Sequence, residues 1–200
     1  MKEICFIIIF LLIILIIITK FKLFESFDDV NEKLTKNITS GVDGNIYKIQ
    51  EEFNDKFAAA NMIAELNNIV LIFIKHLTKK FPNKMEIINL YKRYEPNNIL
   101  EGTPNNTENN TSYSLGKGDK LVLCLRNKRS GKLHKKNLLM FVVLHELAHL
   151  MSESYGHNAE FIKNFKFLLN EAIIVGIYKK EDYRLNPVEY CGMILNSTPI

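Results

Sequence analysis

The stretch NLLMFVVLHELAHLM, residues 137–151, interrupts its apolar character only at Asn137, His145, Glu146 and His149. With no Gly or Pro in it, the stretch predicts a helix from Leu138 to about Ser152. A helix that is apolar on all sides must be covered on all sides, so other elements have to pack around it. His145 and His149 are four residues apart and share one face, one turn above the other. Two imidazoles at that spacing can reach a single tetrahedral ion at about 2.0–2.1 Å. Glu146, next to the first histidine, holds the position of a general base in H-E-x-x-H helices.

A catalytic zinc site needs a third protein ligand and an open position. Downstream of His149 come LMSESYG and then His157, with Gly156 able to turn the chain back toward the metal. Three of the five histidines thus fall within residues 145–157. His157 is the favoured third ligand, with Glu153 and Glu160 as rivals. Asn158 is placed to cap a following helix that extends to about Tyr178. The expected cofactor is zinc. Glu146 would take a proton from water and return it to the leaving amine of a cleaved peptide. Tyr155, Tyr183 and Tyr190 are candidates for stabilising the oxyanion, and the sequence does not rank them.

Elsewhere the patterns supply the covering. GVDGNIYKIQ, residues 41–50, carries an Asp43-Gly44 turn signal and a short strand. From Glu51 to about Phe81, Phe53, Phe57, Ile63, Leu66, Val70, Phe73 and Leu77 recur at helical steps, and Pro82 ends the run. A shorter helix is expected over 84–94, then a solvated Asn-rich loop over 96–112. KLVLCLR, residues 120–126, reads as a strand apolar on both faces, either a core strand or one beside the cleft that pairs with a peptide substrate. The tail, 181–200, reads as irregular.

Between strand and helix lie Arg126, Lys128, Arg129, Lys132, Lys135 and Lys136, with no acidic residue among them. Such a stretch is either solvated or an anion-binding surface, a bilayer being favoured over nucleic acid. The net charge of +4 does not by itself imply a nucleic-acid partner.

Ile4 to Ile18 is an unbroken run of fifteen apolar residues. No small-residue cleavage site follows it, so an uncleaved single-pass anchor is expected. Lys20 and Lys22 after the run, against Lys2 before it, bias the body slightly toward the cytosol. The expected layout is a membrane anchor over 1–22, a tether over 23–41 and one domain over 42–200. Cys124 and Cys191 lie in the body and are free to pair, although their spacing does not require it.

HELAH at 145–149, followed by Gly156, His157, Asn158 and Phe161, resembles the zincin metallopeptidases, and within them the WLM and SprT-like group. KGDKLVLCLR, HELAH and NPVEYCGM in that order resemble membrane-anchored WLM-type proteins of large nucleocytoplasmic DNA viruses. The resemblance implies an α+β fold, a compact zincin-like domain with active-site helices on a small sheet. It also implies zinc on His145, His149 and His157, catalysis by Glu146, a protein or peptide substrate, and a virion or host membrane as the location. Two other readings compete: a zincin-fold structural or interaction protein with little hydrolytic activity, and a hydrolase of non-peptide amides. Glu146 argues against the first, because a purely structural site has no need of a base.

Overall fold

A computed structural model describes residues 10, 12–15, 34–102 and 111–200, in two units, Met1–Thr35 and Lys36–Ile200. In the first unit, residues 10 and 12–15 are helical and their apolar side chains are exposed. The rest of the expected anchor, and the expected tether as far as residue 33, lie outside the described residues.

β1 (Thr35–Thr39) and β2 (Ile46–Gln50) form a two-stranded sheet. The turn between them is closed by Ser40 N donating to Asn45 O at 2.8 Å, and by Tyr47 Oη donating to Asp43 at 2.6 Å. β1 falls within the stretch expected to be a tether. Its only core residue is Ile38, and one apolar position in five leaves no alternation to read.

Helix α1 (Lys56–Lys80) begins five residues later than expected, after a turn at 51–55, and stops before Pro82. It is long and apolar enough to cross a bilayer, yet half of its most apolar window is buried inside the domain, so it is the core helix that its periodicity predicts. Its buried Asn67 is fully engaged, donating to Pro96 O at 3.1 Å and accepting from Tyr94 Oη at 2.7 Å. Helix α2 (Met85–Arg93) buries Ile87 and Leu90.

A three-stranded sheet follows, made of β3 (Ile99–Glu101), β4 (Tyr113–Leu115) and β5 (Lys120–Leu123) in the order β3-β5-β4. β3 is parallel to β5 with Ile99 opposite Leu121, and β4 is antiparallel with Tyr113 opposite Val122. Two expectations change here. Part of the Asn-rich loop is the buried strand β3, and β5 is central. Strands on both sides occupy the hydrogen-bonding edges of β5, which stops at Leu123 rather than at the expected Arg126, so KLVL is a core strand with no edge left for a peptide.

Helix α3 (Lys136–Met151) buries twelve of its residues and packs against α4 (Ala159–Ile174), α2, α1 and β4. The Asn158 side chain caps α4, accepting from Phe161 N at 3.1 Å. The helix ends at Ile174, before the expected Tyr178, and Gly176 follows with φ of 76°. The tail is more regular than expected, because β6 (Val188–Tyr190) and β7 (Met193–Leu195) pair as an antiparallel hairpin. Their two-residue turn, Cys191-Gly192, has φ of 54° and 86°. Such turns favour positive φ, usually signalled by Asn-Gly or Asp-Gly. Cys191 is bonded to Cys124 with a Cα–Cα distance of 6.1 Å, which ties the hairpin to the end of β5.

The bridge joins positions 67 residues apart. Restricting a loop of that length in the unfolded chain stabilises the fold by about 4 kcal/mol on the chain-entropy model. Denaturant unfolding of the wild type under oxidising conditions is therefore expected to show a clearly higher midpoint than Cys191→Ser or the reduced protein. Equal midpoints would remove the disulfide from the native state.

Candidate metal centre

The site is assembled at the C-terminal end of α3. His145 and His149 project from the same face, with Nε2 atoms 3.3 Å apart. The helix stops at Ser152, whose backbone N–H and hydroxyl both return to Ala148 O. From α4, the buried Asn164 Nδ2 donates to the same hydroxyl at 3.0 Å and stitches the helix end to the next helix. The connecting loop then reverses at Gly156, where φ is 80°. Nothing crowds a Cβ at that position, so glycine is required there for the left-handed backbone rather than for space.

That reversal brings His157 Nε2 to 3.0 Å from His145 Nε2 and 3.2 Å from His149 Nε2. Three nitrogens on a tetrahedral ion with bonds of 2.0–2.1 Å are separated by about 3.3 Å. The observed triangle, with sides of 3.0–3.3 Å, fits such an ion. Three imidazoles at this spacing, lining a cavity, are a donor set suited to zinc. Burial, then the neighbouring imidazoles, push His145 down to about 3 and His149 down to about 4. Both are therefore neutral at pH 7, with lone pairs available.

The two rival carboxylates are engaged elsewhere. Glu153 Oε1 accepts from Arg93 Nη2 at 3.0 Å and from Asn89 Nδ2 at 2.6 Å. Glu160 holds the loop, accepting from Glu153 N at 2.8 Å, from Ser154 N at 3.0 Å and from the Ser154 hydroxyl. These bonds lower the Glu160 carboxyl to about 2. Lys117, in the turn between β4 and β5, donates to Ser152 O at 2.9 Å and to Glu153 O. Three separate elements thus fix the loop that carries His157.

Beneath the histidines lies Phe161, 1% exposed. Its ring is stacked on His149 at 4.3 Å and lies 4.8 Å from each of His145 and His157. The sequence motif includes this residue, but only the packing explains it: one apolar plate sets the orientation of all three imidazoles.

Glu146 is 3% exposed and lines the same cavity of about 420 Å³. Burial pushes its carboxyl up to about 8, against opposing hydrogen bonds from the Ser114 hydroxyl and backbone. A nearby positive charge favours the ionised form of such a group. Of the three candidate tyrosines, Tyr155 lines this cavity and is 82% exposed, with Lys117 Nζ 4.6 Å from its ring centroid. Tyr183 is buried in the core against Phe141, and the Tyr190 hydroxyl is bonded to Ser112 Oγ at 2.5 Å. Tyr113 and Ser114 of β4 also line the cavity. Sequence reasoning missed both, because they follow an Asn-rich run with no periodicity.

No family model matches the chain. It is 34% identical to an uncharacterized protein of Acanthamoeba polyphaga mimivirus over 179 residues, covering 82% of this chain and 86% of that protein. It is 46% identical over 72 residues to an uncharacterized protein of Invertebrate iridescent virus 3, covering 36% of this chain and 44% of that protein. A third relative, an uncharacterized protein of Invertebrate iridescent virus 6, is 29% identical over 133 residues, covering 65% of this chain and 69% of the relative. Among solved structures, Wss1 from Saccharomyces cerevisiae aligns with a TM-score of 0.47 at 19% identity, covering 64% of this chain and 88% of that one.

The geometry distinguishes the candidate ligands. His157→Ala is expected to abolish stoichiometric zinc binding by the full chain, whereas Glu153→Ala leaves it intact. Glu160→Ala is expected to keep the stoichiometry while weakening affinity about tenfold, because the loop loses its anchor. Competition against a chromogenic chelator measures all three. Zinc retained by His157→Ala would overturn the assignment.

Proposed function

We propose that this chain, which belongs to the same family as the mimivirus protein, is a zinc-dependent peptidase held at a membrane by its N-terminal apolar run. The observation that carries this reading is the convergence of three imidazole nitrogens beside a buried carboxylate in an open cavity. His145, His149 and His157 would hold the metal. Zinc bound there supplies Lewis-acid polarisation of a carbonyl and lowers the pKa of water.

Glu146 is the proton-handling group. Its carboxyl, held by Ser114 and raised by burial, is matched to taking a proton near neutral pH and giving it to a leaving amine. Tyr155 is the candidate tyrosine that lines the cavity, and we assign it as donor to the developing oxyanion. The substrate is a protein or peptide, and β4 is the outer strand beside which its extended chain would lie. Membership of the WLM and SprT-like zincins is part of this proposal.

The exposed apolar side chains at residues 10 and 12–15 support the anchor. A virion or host membrane is the proposed location. The disulfide supports a body that faces an oxidising environment, the opposite of the slight lysine bias.

Glu146→Gln is expected to retain zinc and to cut cleavage of a broad peptide library by a factor of about 10² to 10⁴. Equal cleavage by the wild type and this variant would overturn the peptidase reading. The full chain is expected to stay with membranes through an alkaline wash, and deletion of residues 4–18 to release it. Retention of the deleted form would place the attachment elsewhere.

A further inference from the structure

NPVEYCGM, residues 186–193, supplies no ligand to the metal centre, yet its Tyr190 reaches the strand that holds Glu146. The ladder between β4 and β5 ends at the pair Tyr113–Val122. Beyond that pair the Ser112 side chain fastens the start of β4, its Oγ accepting from Cys124 N at 2.9 Å. The same Oγ shares a hydrogen bond of 2.5 Å with Tyr190 Oη. Both residues are buried, Ser112 7% exposed and Tyr190 3%. Ser112 and Ser114 line the cavity of the metal centre, and Tyr190, behind Ser112, does not.

Glu146 takes its hydrogen bonds from the Ser114 hydroxyl and backbone, two residues along from Ser112. Tyr190 and Glu146 are also electrostatic neighbours. Burial raises the Tyr190 hydroxyl well above its ordinary range, and the charge of Glu146 adds to this against the hydrogen bond from Ser112.

The hairpin that carries Tyr190 is fixed from outside. Two strands of three residues have too little surface to hold themselves in place. Their ties run to the stretch 124–134: Cys191 is bonded to Cys124, Asn127 Nδ2 donates to Glu189, and the His134 ring lies 5.1 Å from that of Tyr190. Cys191 has a left-handed backbone, φ 54°, which a residue with a Cβ adopts at a cost that its surroundings must offset. Packing alone would be served by phenylalanine at position 190. A buried hydroxyl is costly unless bonded, and this one is bonded to the side chain that fastens the start of β4, the outer strand of its sheet.

We propose that Tyr190 is a positioning residue for the proton-handling carboxyl: through Ser112 it sets β4, β4 sets Ser114, and Ser114 sets Glu146. The C-terminal hairpin is then part of the site, and the disulfide keeps it there. The inference rests on the peptidase reading, in which Glu146 moves the proton.

The test compares full-length protein in a neutral detergent with Tyr190→Phe, which loses one oxygen and keeps the ring. Zinc affinity, measured against a chromogenic chelator, is expected to stay within about twofold, because the three histidines do not hang from β4. Backbone hydrogen exchange of the metal-free protein, followed by mass spectrometry, is expected to be about fivefold faster or more over residues 113–116 and unchanged over α1. Cleavage of the peptide library is expected to fall about tenfold or more, as for a misplaced catalytic group. In a Glu146→Gln background the same change is expected to alter the residual rate by less than about twofold, since without the base its position has no effect. Cys191→Ser is expected to speed the same exchange, and exchange left unchanged there overturns the part assigned to the disulfide.

An equal loss of cleavage in both backgrounds overturns the proposal, because Tyr190 then acts on the fold or on substrate binding. Lost cleavage with unchanged exchange over β4 overturns it in favour of direct contact with the reacting atoms. Lost zinc overturns it in favour of support for the metal-binding loop. Faster exchange over β4 in a chain whose wild type cleaves nothing removes the peptidase reading and leaves the hold of the hairpin on β4 standing.

Discussion

The burial of α3 is the constraint on which the rest of the structure depends. Twelve of its sixteen residues are buried, so it has no solvent face of the ordinary amphipathic kind. α1, α2, α4 and β4 all pack on it, and each loses its own apolar surface in doing so. Apart from Lys136 and Asn137 at its start, the helix emerges from the core only where His145 and His149 face a cavity. A polar site placed at the end of a fully covered helix inherits the rigidity of the whole core.

The same burial sets the chemistry. Removing His145 and His149 from water disfavours their protonated forms, and removing Glu146 from water disfavours its ionised form. The three groups are thus poised as two neutral nitrogen donors and a carboxyl whose proton is near exchange at neutral pH. Phe161 and Ser114 supply orientation, one by stacking and the other by hydrogen bonding. His157 completes the set from a loop that needs three outside ties, from Glu160, Lys117 and Arg93, because its seven-residue path has no regular structure to stiffen it.

A second polar knot stands beside the first. Glu101 is fully buried on β3, accepts from Gln50 N and Arg126 Nε, and links β2, β3 and the basic turn. The disulfide adds the C-terminal hairpin to the same corner. Breaking one partner of such a buried ion pair leaves an uncompensated charge, which is far more costly than a missing surface salt bridge.

Local pattern was enough for the long helices and for the pairing of His145 with His149 on one helix face. The 3.6-residue period of α1, the apolar run of α3 and the spacing of His145 and His149 are properties of consecutive residues, and consecutive residues keep their relation in any fold containing that helix. Local pattern was not enough for β1, β3 or the terminal hairpin. Each is built of strands of three to five residues with at most two buried positions, and such short pieces become strands only because a partner strand, next in the chain for β1 and within the hairpin, and farther on for β3, supplies their hydrogen bonds. The place of β5 at the centre of its sheet, the pairing of Cys124 with Cys191, and the position of Tyr155, rather than Tyr183 or Tyr190, in the lining of the cavity are decisions of the same kind. Each depends on which surfaces meet, and only the folded arrangement settles that. The sequence alone determined that two histidines would share one face of a buried helix; tertiary packing brought His157 to them and kept Glu153 and Glu160 away, because those carboxylates found closer partners in Arg93 and the loop backbone.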